Sequence, residues 1–334
     1  MQHEALMGTY THRDAEGIYR GLFDDETGQF ETLELLAAVA NPAFLALRDG
    51  MLFAVNEQVD GGVSAFHREH GRLNLVGAEP SGGSLPCHIS AGADWVAVVN
   101  NGSGSVTLFP TADGRLQAMS DLRQHEGTGP NAARQASAHP HEVYPIGESA
   151  LLVPDLGTDH LHIYDVAGQR LRERRAIALE PGSGPRHAKR HPSKPVLYVL
   201  SELCNAIDVL TWPDLESIQR VDTLPADFEG ESTTAEIVVA PDGGFVHASN
   251  RGHDSIVTFA VDDWGRLSTP GFVPTLGQHP RYFCLDPSGG WLLVLNQDSD
   301  NVVVYRIDGG RPRDAVCKAP APMPVCLLWD DRQE

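Results

Sequence analysis

The side chains best suited to chemistry in this sequence lie between residues 139 and 281. They are histidines, arginines and glutamates placed beside prolines or at the ends of apolar runs: His139, His141, Arg186, His187, Glu202, Glu236, Arg251, His279 and Arg281. Arginine holds carboxylate or phosphate groups through a bidentate fork. Histidine exchanges a proton near neutral pH, and a glutamate with a raised pKa can act as a general base. These residue types favour acid–base chemistry on a small anionic substrate.

The apolar runs that carry these residues repeat along the chain. Six runs of six or seven residues close at positions separated by 44, 55, 46, 49 and 46 residues: Glu57, Asn101, Leu156, Glu202, Arg251 and Gln297. Each run is followed, after a polar turn, by a short alternating run, and Asp-Gly and Gly-Gly pairs separate many of them. Short runs rich in Val, Leu, Ile and aromatic residues between such turns are typical of β-strands and hairpins.

A period of about 48 residues with about four short strands is typical of a β-propeller blade. Six units are readable, and the run Val325–Trp329 together with Met7–Thr11 and Gly17–Tyr19 supplies a seventh. A blade built from both termini closes the ring and removes a free sheet edge. We therefore predict that residues 1–334 form a single all-β domain, a seven-bladed β-propeller of four-stranded antiparallel blades whose N- and C-termini share the closing blade.

The strand order of a blade predicts where the charged side chains meet. The innermost strand begins, and the second strand ends, at the same end of each blade. The residue after each repeat's proline should therefore face the residue that closes each second strand across one mouth of the channel. The first set is Ala43, Cys87, His141, Arg186, Glu236 and Arg281, and the second is Glu57, Asn101, Leu156, Glu202, Arg251 and Gln297. Charge gathers there from the third blade onward, which predicts a site at this mouth.

Overall charge and composition narrow the classes of partner. The formal net charge of −20 argues against binding to nucleic acid or to an anionic membrane, whereas arginines gathered at one mouth suit a small anionic substrate. No apolar run approaches 18 residues, no signal-peptide pattern opens the chain, and the five cysteines form no C-x-x-C motif. We expect a cytoplasmic protein with reduced thiols, a monomer or a weak homodimer.

Two H-x-H pairs raise the question of a metal. We expect His139 and His141 to alternate on a strand and to point the same way, so that a zinc site is conceivable. No clear third ligand accompanies them, and we predict no metal. His160 and His162 repeat the spacing on an outer strand, where we expect surface residues. Glycine patterns for nucleotides and a G-x-S-x-G motif are also missing from the sequence, so we predict no cofactor and no serine hydrolase.

A series of short motifs carries a family resemblance over residues 8 to 329. They are Gly8–Thr11, Pro86–Ile89, Asn101–Val106, Arg134-Gln135 followed by His139–His141, Pro154–Asp159, Gly184–His187, Ser249–Gly252 and His279–Arg281. In this order they resemble the lactonase family of seven-bladed propellers, which includes the propeller-type 6-phosphogluconolactonases and the fungal 3-carboxy-cis,cis-muconate lactonising enzymes. The resemblance implies catalytic roles for His141, with His139 as its competitor, and for Arg186, Glu202 and Arg251. We expect the other charged residues of the cluster to bind substrate: His139, His187, Glu236, His279 and Arg281.

The resemblance implies hydrolysis of a sugar lactone, most simply one of the 6-phosphogluconolactone type. Glu202 or Glu236 would activate water, His141 would protonate the leaving alkoxide, and the arginines would hold the anion or the oxyanion. A phosphate would fall to Arg281, with Lys189 or Arg190. Three alternatives remain: a muconate-type lactonising cycloisomerase, a propeller that binds a protein or sugar without catalysis, and a metal-dependent lactonase like the six-bladed gluconolactonases, against which the blade count argues.

Overall fold

A computed structural model describes residues 1–330 and, of Thr32 and Leu33, the backbone alone. Within that range the chain forms β-strands joined by turns and loops and has no helix. The described residues therefore include no helix that could cross a membrane. The prediction of an all-β chain is confirmed.

The strands form seven antiparallel sheets, which we name A to G. Their strands, in chain order, are β1 (Gln2–Thr9), β2 (Gly17–Asp24) and β3 (Gln29–Ala38) in sheet A; β4 (Pro42–Arg48), β5 (Met51–Asn56), β6 (Gly62–Glu69) and β7 (Arg72–Pro80) in B; β8 (Pro86–Ala91), β9 (Trp95–Asn100), β10 (Ser105–Ala112), β11 (Arg115–Leu116) and β12 (Asp121–Gln124) in C; β13 (Tyr144–Pro145), β14 (Ala150–Asp155), β15 (His160–Ala167) and β16 (Arg170–Ala178) in D; β17 (Pro185–Arg190), β18 (Val196–Ser201), β19 (Ala206–Thr211) and β20 (Ser217–Asp222) in E; β21 (Thr233–Val239), β22 (Phe245–Arg251), β23 (Ser255–Ala260) and β24 (Gly271–Pro274) in F; and β25 (Pro280–Leu285), β26 (Trp291–Asn296), β27 (Asn301–Asp308) and β28 (Arg311–Pro320) in G, with β29 (Pro324–Asp330) returning to sheet A.

Neighbouring strands of each sheet are also neighbours in the chain, apart from two pairs, β29 with β1 and β10 with β12. In sheet A the order is β29, β1, β2, β3, so the C-terminal strand pairs with the N-terminal one. The prediction of a closing sheet shared by both termini is confirmed. Sheet C carries a two-residue addition, β11, paired beside β12 on β10.

The second strands are buried on both faces, which explains their continuous apolar character. All six residues of β18 and of β26 are buried. In one core cluster Val196, Tyr198 and Leu200 of sheet E pack with side chains of sheet F, such as Phe259. A fully buried Val, Leu or Phe side chain stabilises the fold by about 1.5–3 kcal/mol, so these strands hold the sheets together.

By its contacts the chain divides into two compact units. Of the described residues, unit 1 contains Met1–Met7, Arg20–Glu34 and residues 187–330, and unit 2 contains Gly8–Tyr19 and Leu35–Arg186. Each unit has its own core clusters, for example between sheets E and F in unit 1 and between sheets C and D in unit 2. The single-domain boundary of 1–334 stays a prediction.

Buried asparagines at the ends of second strands tie the sheets to their connecting segments. The Nδ2 atoms of Asn100, Asn250 and Asn296 donate to carbonyl oxygens of residues Ser81, Thr223 and Thr275 at 2.7–3.2 Å. All three asparagines are fully buried. Each donates to a backbone carbonyl of the segment that leads to a first strand and so fixes that segment; the Ser81 carbonyl also accepts from the Thr107 hydroxyl at 2.7 Å.

We predict that Asn296→Ala lowers the free energy of unfolding by about 2 kcal/mol, because it leaves the Thr275 carbonyl buried without its donor. Chemical denaturation measures the change. Asn74→Ala, on an exposed side chain, is the matched control and should stay within about 0.5 kcal/mol of the parent. Equal, small effects from both substitutions would contradict the role of the buried amide.

Candidate active site

In five sheets the start of the first strand lies opposite the end of the second strand, as the strand order predicts. The backbone pairs that show this are Pro42 with Asn56, Pro86 with Asn100, Pro140 with Asp155, Thr234 with Asn250, and Pro280 with Asn296. Five residues of the second predicted set, all except Glu202, directly follow the paired residue of their second strand. The register of Glu202 in sheet E stays a prediction.

The same pairing corrects the position of Glu236. Sheet F has no proline at the start of its first strand, and Thr234 takes the proline's place in the pairing. The residue equivalent to His141 and Arg186 is therefore Ala235, and Glu236 lies one position further along. The predicted register was counted from the proline of each repeat. In sheet F the proline is replaced, so the predicted position of Glu236 was wrong by one residue.

The corrected register shows a second position in the first strands where chemically active residues recur, and this position was not among the predictions. Two residues after four of the six proline equivalents come His88, Glu142, His187 and Glu236, all at most 5% exposed, whereas Phe44 and Tyr282 take this position in sheets B and G. In unit 2, His88 Nε2 lies 3.9 Å from Glu142 Oε1. In unit 1, His187 Nδ1 lies 3.0 Å from Glu236 Oε1. An alternating imidazole and carboxylate at one register position was readable in the sequence once the repeats were aligned on strand pairing.

In unit 1 the structure brings Glu202 and Arg251 together. Arg251 Nη2 lies 3.0 Å from Glu202 Oε2 and donates to the Thr234 carbonyl at 2.7 Å. Both side chains are buried, with 8% and 3% of their surface exposed. A guanidinium withdrawn from water needs such a partner, because an uncompensated buried charge costs several kcal/mol. The pair therefore holds a positively charged group in a fixed orientation.

Glu236 is held from several directions within unit 1. Its Oε1 atom accepts the Ile237 backbone N–H at 3.0 Å and lies 3.0 Å from His187 Nδ1. Lys189 Nζ lies 3.9 Å away and is partly exposed. These contacts fix the Glu236 carboxyl group in place, where it can orient the His187 ring.

His279 and Arg281 flank the strand start of sheet G. Burial and then the positive charge of Arg251 lower the pKa of His279 to about 4, and Arg281 adds to this effect. His279 Nδ1 lies 3.5 Å from Asp298 Oδ2. At neutral pH the imidazole is uncharged, so it offers a hydrogen-bonding group rather than a cation beside Arg251.

In unit 2 the two histidines of the H-P-H motif have different partners. His139 Nδ1 donates to the Asn101 carbonyl at 2.8 Å, so its Nε2 carries the lone pair; the side chain is half-buried. His141 is buried, and its Nδ1 lies 3.9 Å from Cys87 Sγ. Pro140 forms an isolated bridge with Asp155, and the expectation that the two histidines point the same way stays a prediction.

Arg186 belongs to unit 2 and is 3% exposed as the second residue of β17. Its burial places it among the charged side chains that the fold withdraws from solvent rather than displays. Arg186 at a strand start and Arg251 at a strand end are thus two predicted site residues whose guanidinium groups are buried.

A histidine and aspartate network in unit 2 was not foreseen. His125 Nδ1 donates to Asp155 Oδ2 at 2.7 Å, and His125 Nε2 lies 2.8 Å from the Tyr164 hydroxyl. His162 stacks on His125 with ring centroids 3.9 Å apart. Ligand atoms of His125, Asp155 and His162 lie within 4.8 Å of one another. Both nitrogens of His125 already have partners, which favours a hydrogen-bonded network over a cation site.

The network also corrects a prediction. The side chain of His162 is 13% exposed, and burial followed by the charge of His125 lowers its pKa. The expectation that His162 is a surface residue is wrong, because its ring packs against His125. Burial by itself would raise the pKa of Asp155, but hydrogen bonds from His125 and the backbone hold that pKa below its usual range.

The seven antiparallel sheets, six of four strands and sheet C with one short additional strand, define the class as a seven-bladed β-propeller. Residues 4–329 match the family model described as lactonase, 7-bladed beta-propeller. The chain belongs to this lactonase family, and the predictions of the fold and of a lactone-hydrolysing enzyme are confirmed at the level of the family.

Relatives agree over almost the whole chain. The protein is 34% identical over 340 residues to a 6-phosphogluconolactonase of Bacillus subtilis, covering 97% of each chain. It also resembles the crystal structure of a Lactobacillus plantarum protein, with 31% identity, a TM-score of 0.94 and coverage of 99% and 100%. The periplasmic gluconolactonase of Pseudomonas aeruginosa has 28% identity and a TM-score of 0.93, with coverage of 98% and 99%.

We predict that His279 titrates in the folded protein with a pKa of about 4, and that Arg251→Gln raises this value. The arginine's positive charge disfavours protonation of the neighbouring ring, so its removal makes protonation easier. NMR titration of the imidazole resonances measures both values. An unchanged pKa in the folded variant would show that Arg251 does not act on His279.

Proposed function

We propose that this protein hydrolyses a sugar lactone of the 6-phosphogluconolactone type. The observation that carries the proposal is the buried guanidinium of Arg251, fixed by Glu202 at 3.0 Å, in a chain whose net charge is −20. Although Glu202 balances its charge, this guanidinium supplies oriented N–H donors to an anionic oxygen, which a protein so acidic would otherwise repel. The name of the Bacillus subtilis relative supports the choice of substrate class.

The reaction has three requirements. Water must lose a proton as it attacks the lactone carbonyl carbon, the oxyanion must be stabilised, and the ring oxygen must gain a proton as the ester C–O bond breaks. Arg251 in unit 1 and Arg186 in unit 2 are proposed to bind anionic oxygens, either of the substrate or of the developing oxyanion. Guanidinium groups suit this task because they stay charged and present several N–H donors.

The contacts of the two glutamates favour a histidine as the base. Glu202 is held by Arg251, and Glu236 by His187 and a backbone N–H, so both carboxylate groups already have partners. His139 donates its Nδ1 proton to the Asn101 carbonyl and presents Nε2 as an acceptor. We propose His139 as the base and His141 as the group that protonates the ring oxygen. Glu202 then orients Arg251.

Two substrate classes remain to be separated by experiment, phosphorylated and plain sugar lactones. Lys189 and Arg281 are partly exposed cations in unit 1 and are the proposed phosphate ligands. Nothing in the relatives described above supports the muconate-type cyclisation, and no observation favours it here.

The proposal predicts faster loss of 6-phosphogluconolactone than of glucono-δ-lactone, measured against the spontaneous rate at pH 6.5–7 by coupled oxidation of the acid product. The assays of both lactones are also run in the presence of EDTA. Equal, uncatalysed decay of both lactones would refute the proposed function, whereas activity on the plain lactone alone would remove the phosphate ligands from it.

We further predict that Arg251→Ala and Arg186→Ala each lower kcat/KM about a hundredfold, the loss expected when about 3 kcal/mol of transition-state stabilisation is removed. Arg48→Ala, on an exposed side chain of β4, is the control and should keep full activity. Circular dichroism verifies folding. Full lactonase activity in both folded variants would remove the arginines from the mechanism.

A further inference from the structure

We propose that Asp155 and Asp159 are positioning residues for the reaction. They bound the turn between β14 and β15, and their carboxylates hold the two separate segments from which His141 and Arg186 project. The inference rests on the proposed function, because it takes these two side chains as parts of the active site. All the residues involved belong to unit 2.

Asp155 fixes the segment that leads to His141. Its Oδ1 atom accepts the backbone N–H of His139 at 2.8 Å, together with those of Gly157 and Thr158 at 2.9 and 3.2 Å. The backbone ladder continues on both sides: Leu156 N–H donates to the His139 carbonyl, and His141 N–H donates to the Pro154 carbonyl, each at 3.0 Å. The backbone of the H-P-H motif is therefore tied to this turn, while Asn101 and Cys87 contact the motif from sheet C.

Asp159 does the same for the segment that leads to Arg186. Its Oδ1 atom accepts the backbone N–H of Gly184 at 2.7 Å and the Ser183 hydroxyl at 3.2 Å. Its Oδ2 atom accepts the Gly182 N–H at 2.7 Å. Asp159 is 4% exposed, so water does not compete for these bonds. Arg186 follows Gly184 by two residues, and its backbone cannot move without breaking them.

The turn also fastens the long loop between β12 and the H-P-H motif. His125 holds the beginning of this loop through its bond to Asp155 Oδ2. In the middle, Gln135 Nε2 donates to Asp159 Oδ1 and to the Leu156 carbonyl, both at 2.8 Å. At the end, Gly157 approaches so closely that a Cβ atom there would lie 1.9 Å from the Ser137 carbonyl oxygen. The loop is thus held at three points by five consecutive residues.

Other sheets contain a simpler version of this arrangement, which supplies a control. Asp300 occupies the corresponding hairpin between β26 and β27 and, like Asp159, has a positive φ, 52° against 57°. Its Oδ1 atom accepts the Met323 N–H at 2.9 Å, and its carbonyl accepts the Ala321 N–H, as the Asp159 carbonyl accepts that of Leu179. The strand that follows, β29, carries none of the proposed site residues. Asp300 therefore shares the structural role without the positioning role.

Asparagine at the two positions should have different effects. In Asp155→Asn the amide oxygen can keep the three backbone bonds, while the amide NH2 faces His125, which can change tautomer, accept at Nδ1 and donate from Nε2 to Tyr164. In Asp159→Asn, whichever way the amide turns, an NH2 group faces a backbone N–H, because both oxygens accept from backbone donors. Geometry therefore survives the first substitution and not the second.

The test compares Asp155→Ala, Asp155→Asn, Asp159→Ala, Asp159→Asn, Asp300→Ala and the parent protein. Lactone kinetics give kcat and KM, thermal unfolding gives stability, and hydrogen–deuterium exchange of segments 139–141 and 182–186 reports on the two held segments without any substrate. A displacement of about 1 Å can reduce a rate about a hundredfold. We expect losses of that order in kcat for both alanine variants, a loss in Asp159→Asn, and near-parent activity in Asp155→Asn and Asp300→Ala.

The outcomes separate the positioning role from the proposed function. The positioning role is supported if exchange becomes faster at 139–141 in Asp155→Ala and at 182–186 in Asp159→Ala or Asp159→Asn, while Asp300→Ala leaves both segments unchanged. This support holds even if the parent protein hydrolyses no lactone, a result that would refute the proposed function alone. The positioning role is overturned if exchange in the held segments does not change. It is also overturned if activity falls only in step with the melting temperature in all variants, including Asp300→Ala. If an alanine variant does not fold, the asparagine pair decides by the same readouts.

Discussion

A guanidinium group can be kept out of water only beside a negative charge that the fold itself holds in place. Arg251 meets this condition through Glu202 at 3.0 Å, and both side chains are almost wholly buried. The consequence is a fixed positive group in a protein whose surface is strongly acidic. The carboxyl group of Glu236 is likewise surrounded by partners, which are His187, Lys189 and a backbone N–H. Charge at the site is therefore paired charge, and its orientation is set before any substrate arrives.

The repeat places these groups where they are needed. In five sheets the start of the first strand lies opposite the end of the second, so one short stretch of two strands can present several side chains at the same edge. The strands themselves are apolar and buried. Function falls to the residues at their ends and to the turns that hold them, above all the turn from Asp155 to Asp159 and the buried asparagines such as Asn250.

The sequence predicted the strands and their order well, because period-2 apolar runs and turn residues are local signals. The terminal strand from Val325 was assigned to a sheet with the N-terminal strands, and the structure pairs β29 with β1. Prediction failed where a tertiary contact replaced a local signal. Glu236 was displaced by one residue because Thr234 substitutes for the proline anchor. His162 was placed on the surface because its stacking on His125, 37 residues earlier in the chain, leaves no mark in the sequence.

The most direct test of the central claim is a crystal structure of the protein with 6-phosphogluconate, the product of the proposed reaction. The account predicts a carboxylate or phosphate oxygen within hydrogen-bond distance of the Arg251 guanidinium, with the Glu202 carboxylate still on its opposite side. A product molecule bound elsewhere, with the Arg251–Glu202 pair untouched at saturating concentration, would contradict it.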